Sequence, residues 1–303
     1  MSDNVPGRPP ARRGLILAGG AGTRLDPLTR VMSKQLLPVY DKPMVFYPLT
    51  TLMAAGLRDI LVITTPHDAP RFHALLGDGS AWGLNLSYAE QREPGGLAQA
   101  YLVGRAFLAG APSCLILGDN LFYGAGFVER VVAAARLGAG ATVFGARVER
   151  PERYGVAELT ADGRLLRIVE KPARAPSPWA VTGLYLYDGE ACDIAASLRP
   201  STRGQLEITD LNNRYLERGR LSFERLDPDV AWLDMGTLDS LLDAAVLLRD
   251  IERRTGAKVG CPEAAAYAHG WIDGGQLERL AAGYGDVAYG RYLRGLLGTE
   301  HAR

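Results

Sequence analysis

The segment Leu17-Ala-Gly-Gly-Ala-Gly-Thr-Arg24 places three glycines and a cation directly after an apolar run. In such a turn, backbone N–H groups can converge on a phosphate with no Cβ atoms in the way. A dinucleotide fingerprint would need another glycine three positions beyond Gly22, where Leu25 stands, so Asp41, at a plausible ribose distance, is a decoy. A Walker loop needs Gly-Lys-Ser/Thr, which the turn lacks. Glycines alone would equally suit a turn that merely closes a strand, but Arg24 and Lys34 weigh toward phosphate. Two carboxylates extend the pattern. Asp119 follows the apolar run Cys114 to Leu117, and Asp234 follows Val230 to Leu233. An Asp after a strand is as often a turn or N-cap residue. Two of them from distant segments, together with substrate phosphates, suit Mg²⁺, a hard octahedral ion usually held by one or two carboxylates.

These residues lie in longer motifs. The stretch from Gly19 through Arg24 to Ser33-Lys34-Gln35-Leu36-Leu37-Pro38-Val39-Tyr40-Asp41-Lys42-Pro43 resembles the sugar-1-phosphate nucleotidyltransferases, and most closely their glucose-1-phosphate thymidylyltransferase branch. The same branch is matched, in order, by Leu76-Gly-Asp-Gly-Ser80, Gly96-Leu-Ala-Gln99, Leu117-Gly-Asp-Asn120, Arg153-Tyr-Gly-Val156, Glu170-Lys-Pro172, Ala180-Val-Thr-Gly-Leu-Tyr185, Leu206-Glu-Ile-Thr-Asp210 and Trp232-Leu-Asp234. The resemblance runs from about Arg13 to the C-terminal helices.

It implies that a phosphate oxygen of glucose 1-phosphate attacks the α-phosphorus of dTTP and pyrophosphate leaves. The attacking oxygen is already an anion at neutral pH, because a phosphate monoester's second pKa is ~6, so no general base is required. Catalysis then consists of neutralising two polyanions and aligning them. On this resemblance Arg24 and Lys34 hold the triphosphate, supported by Gly19, Gly20, Gly22 and Thr23, with Leu17 and Gln35 on the same nucleotide side. Asp119 and Asp234 hold Mg²⁺, and Lys171 holds the sugar phosphate. Gln91, with Gly96, faces the base; its amide offers an acceptor and a donor to the N3–H and O4 of thymine or uracil. Asn120, Tyr154, Gly155, Glu170 and Val181 match the sugar-binding positions.

A homotetramer, built as a dimer of dimers, is the implied assembly. A uridylyltransferase is the nearest rival, since one methyl separates the bases and is worth only ~1–3 kcal/mol. A catalytically silent sugar-nucleotide sensor is a rival of another class, opposed by the intact Arg24, Lys34, Asp119, Lys171 and Asp234. The chain departs from the family at Met235, where Thr is more usual. It departs again at Val128, Asp227-Pro228-Asp229, Ala264 and Ala268, positions the resemblance links to a second, feedback nucleotide pocket, so weak or absent feedback is expected.

Elements that could position these groups are visible. Leu15 to Ala18, Ile60 to Ile63 and Cys114 to Leu117 are short apolar runs closed by turn residues, as buried parallel strands are. Helical stretches from Met44 to Ala55 and Gly96 to Leu108 lie between them, ended by Gly56 and Gly110. The alternation predicts βαβ units whose ligand loops share one sheet edge. Near-alternating apolar positions around Ala161-Asp162-Gly163 predict a hairpin, hence a mixed sheet, and an amphipathic helix is expected from Leu238 to Arg254. The expected fold is α/β: a Rossmann-like nucleotide-diphospho-sugar transferase fold with a mixed central sheet and C-terminal helices. Its parts are a disordered leader (1–12), a core (13–250) divided into nucleotide (13–130) and sugar-phosphate (131–237) portions, and a helical extension (251–303) that serves as an interface.

Composition bounds the rest. At a prior of ~150 residues per domain, 303 residues make one large or two ordinary domains. Lys+Arg 34 against Asp+Glu 34 leaves no global field for a nucleic acid or an anionic membrane, so phosphate binding must be local. No run reaches the ~18–20 apolar residues of a membrane helix. Arg12-Arg13 before Gly14 to Ala21 is too short and too soon interrupted by Arg24 for an export signal. Cys114, Cys192 and Cys261 are too scattered for a disulfide framework or a zinc site, which fits a reducing cytoplasm. His67 and His73 read as surface histidines and Cys114 as a packed strand residue.

Overall fold

Strand runs that lack polar alternation must be covered on both faces, and that requirement organises the molecule. A computed structural model describes residues 11–20, 22–136 and 138–298. The first half contains β1 (Arg13–Ala18), a short ribbon of β2 (Pro38–Val39) and β3 (Lys42–Pro43), α1 (Phe46–Ala54), β4 (Asp59–Thr64), α2 (Ala69–Leu76), β5 (Asn85–Glu90), α3 (Gln99–Val103), α4 (Arg105–Leu108), β6 (Ser113–Leu117) and β7 (Asn120–Tyr123). Then follow α5 (Phe127–Ala135), β8 (Ala141–Arg147), β9 (Gly155–Leu159), β10 (Leu165–Glu170), β11 (Trp179–Tyr187), α6 (Ala191–Ser197), α7 (Ile208–Glu217), β12 (Leu221–Arg225) and β13 (Ala231–Asp234). Four helices close the chain: α8 (Leu238–Thr255), α9 (Pro262–Ala268), α10 (Gly274–Gly283) and α11 (Ala288–Gly298).

Nine strands form the central sheet along β10-β9-β11-β6-β1-β4-β5, with β8 beside β11 and β12 beside β8. β1 pairs parallel with both β4 and β6. The chain therefore runs from β1 out through β4 and β5, then returns to the other side of β1 as β6. The C-terminal ends of β1 and β6 flank the switch point where ligands of such sheets bind. Beyond β6 the sheet turns antiparallel at β11, so it is mixed, and the architecture is the Rossmann-like α/β expected.

Successive residues of β1 serve opposite faces. Ile16 and Ala18 pack with Phe46 and Leu49 of α1 and with Ala266, Leu277 and Leu293 of the C-terminal helices, while Leu15 and Leu17 pack with Tyr101, Ile194, Leu211 and Tyr215. At ~1.5–3 kcal/mol for each large apolar side chain buried, these two layers are the main stabilising term. The hairpin forms where expected, with Gly163 at φ 83° and β9 antiparallel to β10. α8 matches the predicted helix almost to the residue: Thr237 and Ser240 form a capping box, and Gly256, at φ 70°, ends it. It runs unbroken through position 250, and the C-terminal helices share the core beneath β1.

Three expectations are corrected. The stretch from Gly96 to Leu108 is two short helices, because Gly96 sits at φ +99° in a turn and Gly104 breaks the run. A methyl at Gly104 would lie 2.9 Å from the Ala100 carbonyl, with Leu15 and Leu61 at contact distance (3.4 Å), so the break suits glycine. The first long helix begins at Phe46, with Met44 in the preceding turn. Arg12, assigned to the leader, is instead tied down by its guanidinium to the carbonyls of Ala135 (3.1 Å), Ser113 (2.7 Å) and Tyr187 (2.9 Å). The rest of the leader, apart from Ala11, lies outside the described residues. Among the described residues no helix is long and apolar enough to cross a membrane.

Candidate active site

A cleft of about 600 Å³ opens at the C-terminal ends of β1 and β6. From the expected nucleotide side it gathers Leu17, Gly19, Gly20, Arg24, Lys34, Gln35, Gln91, Gly96 and Asp119. From the expected sugar side it gathers Asn120, Tyr154, Gly155, Glu170, Lys171 and Val181, and Asp234 completes it. Gly22 and Thr23 do not line it. Gly22 instead holds a left-handed turn (φ 63°) whose carbonyl accepts from Leu25 N (2.8 Å) and Thr29 Oγ1 (3.0 Å). Glycine there shapes the loop that carries Arg24, and Thr23 is exposed at the start of the following turn.

The two aspartates come together through strand pairing. β13 lies antiparallel to β7 with Asp234 opposite Asn120, and Met235 N donates to Asp119 O at 3.0 Å. The Met235 side chain is buried with Val39, Met44 and Leu248, so no hydroxyl from this position reaches the cleft. Lys34 Nζ pairs with Asp119. Burial pushes the Asp119 carboxyl up, but the Lys34 charge and hydrogen bonds from Lys34 and Asn120 outweigh it and hold the group below the usual range. Asp234 goes the other way. Burial and the neighbouring Asp119 charge push it to about 6, against Lys34, Arg24 and Arg153. Two crowded carboxylates, one held well above its ordinary value, are a donor set that a hard divalent cation would relieve. Among the described residues no third His, Cys, Asp or Glu joins them, as suits an ion that completes its shell with water and phosphate oxygens.

Asn120 is more bracket than sugar ligand. Its Oδ1 accepts from Gly183 N (3.1 Å) and Trp232 Nε1 (2.6 Å), and its Nδ2 donates to Asp119 Oδ1 (3.0 Å). One Nδ2 hydrogen remains for a ligand. Trp232, which sequence reasoning gave no role, also packs against Tyr154 (5.1 Å between ring centroids). Burial first, then Asp234, raises the Tyr154 phenol, keeping it neutral.

Glu170 is held from two sides, by Thr209 Oγ1 (2.6 Å) and by Arg203 Nη2 (3.0 Å). Lys171 follows at φ 41°, an uncommon conformation for a side-chain-bearing residue, and its N–H donates to Tyr154 O (2.9 Å). That backbone lock sets a half-exposed Lys171 in the cleft wall with its Nζ 3.6 Å from Glu170 Oε1. Thr209 and Glu207 line the cleft; Arg203 links Glu207 to Glu170. Their signal was the Leu206-Glu-Ile-Thr-Asp210 motif, which carried no assigned role.

Other candidates fall outside the cleft. His73 stacks on Tyr88 (3.7 Å), and the His67 carbonyl accepts from Arg71 (3.1 Å). Between them in sequence, Asp68 is buried and accepts from Ser33 N (3.0 Å), pinning the turn before Lys34. The Cys114 thiol is pushed up by burial to about 12, even with Arg12 near. At the departures from the family, Asp227 pairs with Arg130 (2.9 Å), and Lys258 is committed to Asp41 and Glu252.

Residues 13–251 match the nucleotidyl transferase family. A glucose-1-phosphate thymidylyltransferase of Xanthomonas campestris pv. campestris is 57% identical over 285 residues, covering 94% of this chain and 97% of that one. One from Mycobacterium tuberculosis is 53% identical, covering 94% of this chain and 99% of its own. The fold is similar to that of a Bacillus anthracis chain described as a glucose-1-phosphate thymidylyltransferase and solved with a sucrose, at TM-score 0.72 and 39% identity over 79% of this chain and 96% of that one. A UDP-glucose pyrophosphorylase solved with UDP-glucose shares the fold at TM-score 0.69 and 24% identity, over 80% of this chain and 99% of its own.

Proposed function

Since the chain belongs to the nucleotidyl transferase family, we propose that its cleft is where a phosphate oxygen of glucose 1-phosphate attacks the α-phosphorus of dTTP, giving dTDP-glucose and pyrophosphate. The observation that carries this reading is the charge gathered in one cleft: Lys34 pairs with Asp119, Arg24 and Asp234 both lie against Gly236, and Lys171 stands beside Glu170. Such a cleft offers cations to two polyanions together with a metal-competent pair of carboxylates.

The chain's own groups divide the work. Arg24 and Lys34 bind the triphosphate and stabilise the departing pyrophosphate. Backbone N–H groups near Gly19 and Gly20 support them, with Leu17 and Gln35 alongside. Lys171 orients the sugar phosphate for in-line attack. Glu170, prepositioned by Thr209 and Arg203, accepts hydrogen bonds from sugar hydroxyls, and the backbone at Gly155 and Val181 pairs with others. Gln91 and Gly96 read the base. Asp119 and Asp234 would hold a divalent cation, Mg²⁺ by donor chemistry, which would supply Lewis-acid neutralisation of phosphate charge. No proton needs to be removed from the attacking oxygen at neutral pH, since it ionises at ~6.

The test is pyrophosphate release across a panel of nucleoside triphosphates and sugar 1-phosphates with Mg²⁺. Efficient turnover of dTTP with glucose 1-phosphate is expected, and UTP should fall behind by no more than ~10–200-fold, the worth of one methyl. Preference for UTP would favour a uridylyltransferase. No release with any pair would leave the silent sensor.

Residues 13–250 are read as the transferring unit, and 251–303 as an accessory layer that also carries subunit contacts. Leu238, Leu242 and Val246, four apart on α8, form an exposed apolar stripe next to that layer. A dimer of dimers is the expected assembly. Sedimentation at micromolar protein should give four times the 32.6 kDa chain mass, and a monomer would overturn it. The three buried, unpaired cysteines are in keeping with a cytoplasmic enzyme.

A further inference from the structure

Gln91 sits at the end of β5, 6% exposed, with its backbone N–H donating to Thr64 O at 2.7 Å. Its side chain reaches over Gly19, where a methyl would lie 2.6 Å from Oε1. An amide can be presented either way round, and the two faces read opposite base edges. What decides the choice here lies outside the base contact. Gly95 N–H donates to Gln99 Oε1 at 3.0 Å, and the same oxygen accepts from Gln91 Nε2 at 2.5 Å. The carbonyl of Gly96 stands 3.5 Å from the same Nε2.

Both ends of this relay are backbone groups that cannot turn. Leu206 N donates to Gly95 O (2.8 Å), and Ala98 N donates to Leu206 O (3.1 Å). A methyl on Gly96, which sits at φ +99°, would lie 2.3 Å from the backbone oxygen of Leu206, so glycine is required there. Were Gln91 reversed, its oxygen would face two acceptors, Gln99 Oε1 and the Gly96 carbonyl. Were Gln99 to reverse with it, an NH₂ group would face the Gly95 N–H.

We infer that Gln99 is a positioning residue that fixes the amide orientation of Gln91, so that the cleft takes pyrimidines with a protonated N3 and a 4-keto oxygen and rejects 4-amino pyrimidines. In the locked orientation Oε1 accepts from N3–H, and the second Nε2 hydrogen, which without a base has only the long 3.5 Å contact to the Gly96 carbonyl, turns to O4. A cytosine would set its N3 lone pair against Oε1 and its amino group against Nε2, with no amide reversal open to it. This rests on the reading of the cleft as a dTTP site.

The test compares kcat/KM for dTTP and dCTP, with glucose 1-phosphate and Mg²⁺, in the wild type, Gln99→Met and Gln99→Glu. Met keeps the volume but cannot accept from either amide, whereas Glu restores both acceptors. Gln99→Met should lower the dTTP-to-dCTP ratio tenfold or more, through a raised KM for dTTP, while KM for glucose 1-phosphate stays within twofold. Gln99→Glu should keep the ratio within threefold of wild type, and it decides alone should the Met variant not fold. An unchanged ratio in Gln99→Met, or a tenfold loss in Gln99→Glu, overturns the assignment of Gln99 while leaving dTTP as substrate. A wild type that does not use dTTP removes the reading of the cleft itself.

Discussion

Asp119→Asn and Asp234→Asn should each lower turnover on the order of a thousandfold, and they should differ in what they do to the fold. Each removes a charge from a pair that would hold a cation worth several kcal/mol of phosphate stabilisation, at about 1.4 kcal/mol per tenfold. Asp234 is pushed to about 6 by burial and by Asp119, so at neutral pH its ionised form costs stability. That cost is present above pH 6 and fades as pH falls toward the ordinary carboxylate value. Asp234→Asn removes it, so the variant should melt at or above the wild-type temperature at pH 7.5. Asp119 is held below the usual range mainly by Lys34, so its neutral substitute loses a favourable partner and should melt lower. Steady-state kinetics with Mg²⁺ held low, alongside thermal melts, check both halves. Wild-type turnover in either variant would show that the pair is not the metal site.

Much of the framework could be read from short runs of residues. Leu15 to Ala18, Ile60 to Ile63 and Cys114 to Leu117 declare themselves because a strand buried on both faces has no polar alternation. α8 was legible from its amphipathic period, and Thr237 and Gly256 cap it where that period begins and ends. The misread helix after Gly96 shows the limit of such signals. Gly104 looks like an ordinary interior glycine, and the crowding at the break, 2.9 Å from a methyl to the Ala100 carbonyl, shows only once the backbone is in place.

The site residues were legible as types and not as an arrangement. Asp119 and Asp234 are 115 positions apart, and the β7–β13 pairing that joins them is a two-stranded sheet off the main one, with no period to betray it. Asn120 was expected at the sugar because the resemblance places it there, yet its carbonyl oxygen accepts from Gly183 and Trp232. Gln99, Arg203 and Thr209 went unassigned because they act on other side chains, and such second contacts depend wholly on tertiary packing. Gly22 and Thr23 were expected on the phosphate as part of the glycine-rich turn, whereas neither lines the cleft and the left-handed turn at Gly22 shapes the loop that carries Arg24.

Lys34→Ala should damage stability and activity together. Its ammonium is the main charge opposing the burial of Asp119, and both side chains are largely enclosed, at 13% and 9% exposure. Removing one partner of an enclosed pair costs about 3 kcal/mol, or about 6 °C of melting temperature for a chain of this size. The loss should depend on pH with a definite sign. In the wild type the depressed Asp119 carboxyl adds stability above its ordinary value and loses it only as pH falls through its lowered one. In the variant, Asn120 Nδ2 at 3.0 Å remains as a donor, but burial now dominates and raises the carboxyl above its ordinary value. Its ionisation penalty is then relieved as pH falls, so the melting gap between the two proteins should narrow from pH 7.5 to pH 5. Turnover should fall on the order of a hundredfold or more, with KM for dTTP raised, because the proposed triphosphate subsite keeps Arg24 but loses its second cation. A gap that stays constant across that range would mean that Lys34 is not what keeps Asp119 ionised.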